Sequence, residues 1–362
     1  MNKMYNSALE VLKTLNNNNF LAYIVGGYPR DLYLGKVSDD IDICTNAKYN
    51  DLKAIFGDVK YNKYGSYILN YNDFCFEVTT FRRDGHYLNN RFPNKVYFTN
   101  SLVKDLKRRD FTINALCIDA NGCFVDLLNT RIDINHKIIK FIGSKKKISD
   151  DSLRILRAIR FATVLDFSID NKLSKAILKY KDNLYNLSFD RKKRELEKIF
   201  SSYNCSIGLG LLRYYDLEKY LHISLDEVVV VNDLCGMWAQ VIIDDAYNFS
   251  KEERFKIFKI RDLLDVPFSL YDLYKYGPEI LSVVSKIRND DLNIIELYDD
   301  LIIKDRDDID VSFFDICDIL SVNDHMIKVI YEDIEKKIIY KELNNKRRDI
   351  LSYIKKNYKC LK

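Results

Sequence analysis

Proline is scarce in this chain, with four in 362 residues, and there are only twelve glycines. An all-β sandwich needs turn residues at short intervals, and too few are present. Long connected helices are expected instead. Long apolar runs are also missing. No stretch approaches the roughly 20 residues that cross a bilayer, and MNKMYNSALEVLKTLNNNNF at the start has no apolar run of signal-peptide type. The eight cysteines (Cys44, Cys75, Cys117, Cys123, Cys205, Cys235, Cys317 and Cys360) include no C-x-x-C pair. Their scatter argues against a zinc site or a disulfide framework and fits reduced thiols in a cytoplasmic protein. Strong charge of one sign is absent. The formal net charge of +4 is compatible with RNA or nucleotide partners without demonstrating them.

What is there is the composition of an ordinary folded protein, 47% hydrophobic and 30% charged. The length suits one large domain or two to three smaller ones. Residues 4 to 16 have helical apolar spacing, broken at Asn16 to Asn19. Strands are expected at Ala22 to Val25, Ile41 to Cys44, Tyr67 to Tyr71, Phe74 to Thr80 and Lys95 to Thr99, with helices at Arg30 to Leu34 and Lys48 to Phe56. A hairpin tip falls at Asn70 to Asp73, and a second hairpin turns at Asn121-Gly122. Beyond residue 140 the pattern is helical, including Asp151 to Thr163, Lys172 to Lys181, Asp190 to Ser201 and Gly208 to Leu217. The C-terminal LNNKRRDILSYIKKNYKCLK reads as a basic helix with a solvated face, or as an RNA contact.

The stretch IVGGYPRDLYLGKVSDDIDICT, Ile24 to Thr45, carries the first chemistry. Gly26-Gly27 after a strand lets backbone N–H groups approach phosphate oxygens, and Arg30 adds a guanidinium fork for the same anion. Asp40 and Asp42 at i and i+2 share one face of a strand while Ile41 and Ile43 enter the core. Two such carboxylates form a cradle for Mg²⁺. Alone, Asp-x-Asp reads as a solvated turn; together the two patterns point to nucleotidyl transfer. Glu77, on a later strand, is a candidate third carboxylate, or a plain edge residue. Arg83 to Pro93 is polar and reads as a mobile loop.

A second stretch, DLKRRDFTINAL, offers Arg108 and Arg109 to a triphosphate, with Asp110 orienting one of them and Asn114 placed for a sugar or backbone contact. By itself its K-x-x-K-R-R is a solvated basic patch. A third, DDSLRILRAIRFA, repeats Asp151, Arg154, Arg157 and Arg160 in steps of three along one helical stripe, with Leu153, Leu156, Ile159 and Phe161 packing elsewhere. The bland alternative is a surface ladder paired to acids of another helix. A carboxylate beside a guanidinium matches the donor and acceptor edges of cytosine and adenine. It leaves guanine and uracil with unpaired polar groups, so Asp151 and Arg154 can select bases without a template. The fourth, SFDRKKRELEKIF, reads as a helix capped at Ser188 or Asp190 whose Arg194, Glu195 and Lys198 buttress the preceding helix.

These four stretches in this order resemble the bacterial-type (class II) tRNA nucleotidyltransferases, the CCA-adding enzymes, which share a family with bacterial poly(A) polymerases. The family's GGxxRD…DxD falls on Gly26, Gly27, Arg30, Asp31, Asp40 and Asp42, and its RRDFTINA is unbroken at Arg108 to Ala115. Its EDxxR appears as Asp150-Asp151-Ser152-Leu153-Arg154, with Asp for the usual Glu, followed by Arg157 and Arg160. The E-L-x-K element matches Glu195, Leu196 and Lys198. The resemblance implies an α+β chain: a small polymerase-β-like head of mixed sheet and helices (1–138), then all-helical neck (139–205), body (206–305) and tRNA-binding tail (306–362). It implies addition of CCA to the 3′ end of tRNA from CTP and ATP with Mg²⁺ at Asp40 and Asp42. No membrane and no obligate protein partner are expected. Related activities are A-only addition, poly(A) synthesis and an inactive RNA-binding relative. The segment at Arg83 to Pro93 is similar to a loop that CC-adding members lack, and no phosphohydrolase-type His-Asp motif follows the body.

Overall fold

The computed structural model describes residues 3–57, 59–61, 64–85, 87–88, 92–290, 292–320 and 324–358. The first helix, α1 (Lys3–Asn17), turns Tyr5, Ala8, Val11, Leu12 and Leu15 inward, the face its apolar spacing dictates. Strand β1 (Ala22–Val25) leads into α2 (Gly27–Tyr33), and β2 (Asp42–Thr45) into α3 (Tyr49–Phe56). Then come β3 (Val59–Tyr61), β4 (Ser66–Tyr71) and β5 (Phe74–Thr80). Strands β4 and β5 form the expected hairpin, with Asn72 and Asp73 at positive φ in its turn.

The polar run expected to be a mobile loop is largely a pair of short ladders. Here β6 (Arg82–Asp84) pairs with β9 (Val96–Phe98), and β7 (Tyr87–Leu88) with β8 (Phe92–Pro93). Residues 86 and 89–91 of that run lie outside the described residues. The helix α4 (Leu102–Arg108) follows, then the hairpin of β10 (Cys117–Ile118) and β11 (Phe124–Val125), turned by Gly122 at φ 79°. Next come α5 (Thr130–Asn135) and β12 (Ile138–Ile139).

Seven strands form one mixed sheet in the order β11-β10-β1-β2-β5-β4-β3. All neighbours are antiparallel except β2 and β5, which run parallel and place Asp42 beside Glu77. Alternation assigns the two faces. Ile24, Ile41, Ile43, Phe76 and Val78 pack with α1 and α3. On the other face Val25, Cys44 and Cys117 pack under Leu102, Leu106 and Ile142. Asp42 and Glu77 belong to this second face, where α4 and the start of the helical region lie over the sheet.

The helical region begins with α6 (Lys146–Asp150), α7 (Leu153–Leu165), α8 (Asn171–Tyr180), α9 (Phe189–Phe200), α10 (Cys205–Tyr214) and α11 (Glu218–Leu221). One short strand interrupts it: β13 (Ser168–Ile169) pairs in parallel with β12 and ties the helices back to the preceding segment. Residues 1–223 with 244–247 form one compact unit, and 224–243 with 248–362 a second. The second unit is helical: α12 (Leu234–Val241), α13 (Lys251–Leu264), α14 (Leu270–Arg288), α15 (Ile294–Asp299), α16 (Phe313–Ile319), α17 (Asp324–Ile339) and α18 (Arg347–Tyr358). Ser250, Ser269 and Ser312 close capping boxes with Glu253, Asp272 and Asp315. The basic C-terminal helix does keep an apolar side, burying Ile350 and Ile354.

Candidate active site

The site lies within the first unit, in a cavity of about 650 Å³ between the second face of the sheet and α7. Gly26 stands at φ 94°, a conformation that disfavours any side chain, and a Cβ there would meet Asp42 Oδ2 at 2.9 Å. The glycine therefore keeps the space beside that carboxylate open. Strand β2 starts at Asp42, so Asp40 is not on the strand as expected but in the link two residues before it. Both still line the cavity, and Ile41 and Ile43 are buried in the core as their alternation requires.

Burial raises the Asp42 carboxyl to about 6, helped by the charges of Asp40 and Glu77 and opposed by Arg109. Two neighbouring acids crowd this largely buried carboxylate, and Arg109 offsets them only in part. Glu77 sits opposite Asp42 in the parallel ladder, accepts a hydrogen bond from the Ser66 hydroxyl and lines an adjoining cavity of about 390 Å³ with Asp42. Among the described residues no group of three or more His, Cys, Asp or Glu has metal-binding geometry. The oxygen donors that remain, Asp40 and Asp42 beside an open glycine, suit a hard cation such as Mg²⁺.

The basic wall differs from the expectation in its wiring. Asp105, fully buried, orients the arginine pair. Its Oδ1 accepts from Arg108 Nε at 2.8 Å and its Oδ2 from Arg109 Nη2 at 3.2 Å. Asp110 instead faces α7 and accepts from Arg157 Nε at 2.7 Å, from Asn114 Nδ2 at 3.2 Å and from the Phe111 N–H at 2.7 Å. Burial alone would raise the Asp110 carboxyl. The charge and hydrogen bond of Arg157 override it and hold the group far below the usual carboxylate range. The reason for the difference is helical geometry: Asp105 is three and four residues before Arg108 and Arg109, on their face of α4 and its end. Asp110 lies past the helix.

Arg30 is 6% exposed and clamped. Its Nε and Nη2 donate to Asp31 at 2.9 Å each and its Nη1 to Asn114 Oδ1 at 2.7 Å. Asn114 thus bridges Arg30 and Asp110. Arg160 Nε donates to Glu195 Oε2 at 2.7 Å, which makes Glu195 a buttress from α9, as its spacing suggested. Phe161, expected to pack elsewhere, lies in the cavity wall with the guanidinium carbons of Arg30, Arg157 and Arg160 at 5.3, 5.3 and 4.0 Å from its ring centre. It follows Arg157 by four residues, a spacing that shares a helical face and would have revealed it.

Asp151 precedes α7 rather than riding on it, and its Oδ1 accepts from Arg191 Nη2 at 3.2 Å. Arg154 is buried and its Nη1 donates to the Lys147 carbonyl at 2.8 Å. Both line the cavity. Sequence reasoning missed Lys147, whose Nζ donates to the carbonyls of Lys107 and, at 2.9 Å, Arg109. Burial lowers its amine to about 8. It props the C-terminal end of α4, where a cation is favoured, and so fixes the Arg108-Arg109 turn. Tyr64, Arg82 and Asp84 complete the rim. On α9, Ser188 holds the N-cap position without a side-chain cap bond, and Lys198 reaches the cavity.

Fold and site together define a nucleotidyltransferase head joined to a helical region. The family described as "Poly A polymerase head domain" matches residues 22–140, and "Probable RNA and SrmB- binding site of polymerase A" matches 166–227. The CCA-adding enzyme of Streptococcus uberis is 31% identical over 97% of this chain and 96% of its own length. That of Bacillus subtilis is 31% identical over 98% and 99%. The chain belongs to the CCA-adding enzyme family. Its structure superposes on the crystal structure of the Bacillus stearothermophilus CCA-adding enzyme in complex with CTP, with a TM-score of 0.87 at 25% identity over 100% of this chain and 99% of that one. No helix among the described residues is long and apolar enough to cross a membrane.

Proposed function

We propose that this enzyme adds CCA to the 3′ end of tRNA from CTP and ATP, releasing pyrophosphate, in the cytoplasm. The observation that carries the reading is one cavity that joins the Asp40–Asp42 edge to the Asp151–Arg154 pair through an arginine wall. The relatives' shared name, and a structural match solved with CTP, support the same reading. Residues 1–138 serve as catalytic head, 139–205 as neck, 206–305 as body and 306–362 as tRNA-binding tail.

Asp40 and Asp42 would hold Mg²⁺ as a two-metal site, while Glu77 supplies negative charge beside them. When bound, the metal lowers the pKa of the RNA 3′-hydroxyl and stabilises charge on the phosphoryl and pyrophosphate groups. The rest falls to the chain. Gly26 leaves the approach to Asp42 open, and Gly27 with Arg30 forms the floor under the phosphates. Arg108, Arg109, Arg157 and Arg160 hold the triphosphate, each fixed by Asp105, Asp110 or Glu195 so that little ordering remains on binding. Asp151 and Arg154 read the base edge, the first positioned by Arg191 and the second by the Lys147 carbonyl.

The test is incubation with Mg²⁺, CTP and ATP of three tRNAs that carry none, one or two of the terminal nucleotides, followed by product sequencing. All three should finish in CCA. No incorporation on any substrate would remove the reading, and extension of the last substrate alone would mean A-only addition. Asp151→Ala or Arg154→Ala should cut discrimination against GTP and UTP by about 10- to 100-fold. A slower variant with full selectivity would refute the base-reading role.

A further inference from the structure

A second cavity, of about 330 Å³, lies beside the first and shares Asp84, Arg108 and Arg154 with it. Three cations of α4 line it at i, i+3 and i+4, Lys104, Lys107 and Arg108, so one helical face points into the space. Arg83, Lys147 and Arg154 close it from other elements, with Asp84 and Asp150 the two acids among the lining residues. Arg108 and Arg154 already have Asp105 and a carbonyl as partners. Lys104 and Lys107 are exposed, and no described carboxylate pairs with either. Burial and then Arg154 depress the Lys147 amine against the opposing charges of Asp110 and Asp84, so cations outnumber acids in this space. No aromatic ring among the described residues lines this space, whereas the larger cavity has Tyr64 and Phe161. A base finds no ring to stack on among the described residues, and a bare anion meets the two exposed ammonium groups of Lys104 and Lys107.

We propose that this chamber binds inorganic pyrophosphate, taking the leaving group after it separates from the triphosphate wall across Arg108 and Arg154. The assignment of pyrophosphate as the reaction's product rests on the proposed function. The K-x-x-K that precedes the Arg-Arg pair is then a product site and not a solvated patch.

The experiment is titration calorimetry of sodium pyrophosphate into the intact protein with and without saturating CTP, no tRNA being present, for the wild type and the exposed-residue variant Lys104→Gln/Lys107→Gln. The wild type should still bind one pyrophosphate when CTP fills the larger cavity. The variant should bind it at least about tenfold more weakly while CTP affinity stays within about twofold, as expected from loss of two charge-assisted contacts. In transfer assays, inhibition by added pyrophosphate should weaken by the same factor. Unchanged pyrophosphate affinity in the variant overturns the proposal. So does a fall in tRNA affinity alone, read in a parallel tRNA-binding titration, which would assign the chamber to an RNA phosphodiester. Because the binding readout needs no turnover, weakened binding in a protein that fails to extend tRNA would keep the chamber and remove the proposed activity. Active transfer with unchanged binding would do the reverse.

Discussion

Two carboxylates in one cavity wall carry opposite histories. Asp42 begins strand β2 beside Asp40 and Glu77, and burial raises it to about 6. Asp110 follows α4, faces Arg157, Asn114 and the Phe111 N–H, and stays ionised far into acid. Both are Asp, both are largely withdrawn from water, and both belong to the conspicuous sequence stretches. The difference lies in whether the charge is answered from within the chain. Asp110 is answered, so it holds architecture. Asp42 is answered only in part, by Arg109, and that deficit supports the proposal of a cation there.

The largest break in this comparison is at Asp42. Asp42→Asn should lower nucleotide transfer by at least about 10³-fold, because it removes a charge proposed to hold Mg²⁺, and Asp40→Ala should act in the same direction. Stability should not suffer, since Asn removes an unrelieved charge at nearly constant volume. Single-turnover incorporation, with tRNA binding and thermal unfolding measured alongside, tests both. A variant that loses tRNA binding or unfolds early would mark these carboxylates as structural.

That contrast was only half legible in the sequence. Gly26-Gly27, Asp40 and Asp42 were visible because a turn, a strand period and a carboxylate spacing are local. Ile41 and Ile43 entered the core because alternation allows nothing else. Most strands were visible for the same reason, though the short β3 and the helix α4 carry too little periodicity to declare themselves. The wiring was not visible. Asp105 rather than Asp110 serves the arginine pair, and Asp110 meets Arg157 from 47 residues away. Lys147 and Arg191 likewise act through tertiary approach. The parallel pairing of β2 with β5, which sets Glu77 beside Asp42, depends on a crossover that no local pattern encodes.

Asp110 should show the converse. Asp110→Asn leaves Arg157 without its carboxylate, a loss of about 2–3 kcal/mol in urea unfolding after allowance for the partial exposure of Arg157. The two residues also differ in sign with pH. For Asp42, the folded value of about 6 exceeds the ordinary 3.8, so the native chain binds more protons across that interval. Stability from this group therefore falls as pH rises from 4 to 6, by about 3 kcal/mol in total. Asp110, held low, contributes stability above the ordinary carboxylate value and loses it as pH falls toward its depressed one. Relative to wild type, Asp42→Asn should gain stability between pH 4 and 7, and Asp110→Asn should lose it. Stabilisation by added Mg²⁺ should grow through pH 6, as Asp42 gives up its proton. A Mg²⁺ effect independent of pH, or one retained in Asp42→Asn, would place the cation elsewhere.

The smallest effect, and the finest discrimination, belongs to Glu77. It stands opposite Asp42 and raises its pKa, yet its carboxylate is exposed and accepts from Ser66. If it acts only through its charge, screening by solvent limits its influence, and Glu77→Gln should change transfer by no more than about fivefold. The acid limb of the pH–rate profile should move to lower pH, since one of the charges opposing Asp42 ionisation is gone. Ser66→Ala should leave both quantities close to wild type. If Glu77→Gln instead falls as far as Asp42→Asn, with no movement of the acid limb, Glu77 is a ligand in the working complex. The side chain would then have to leave Ser66 when the cation arrives.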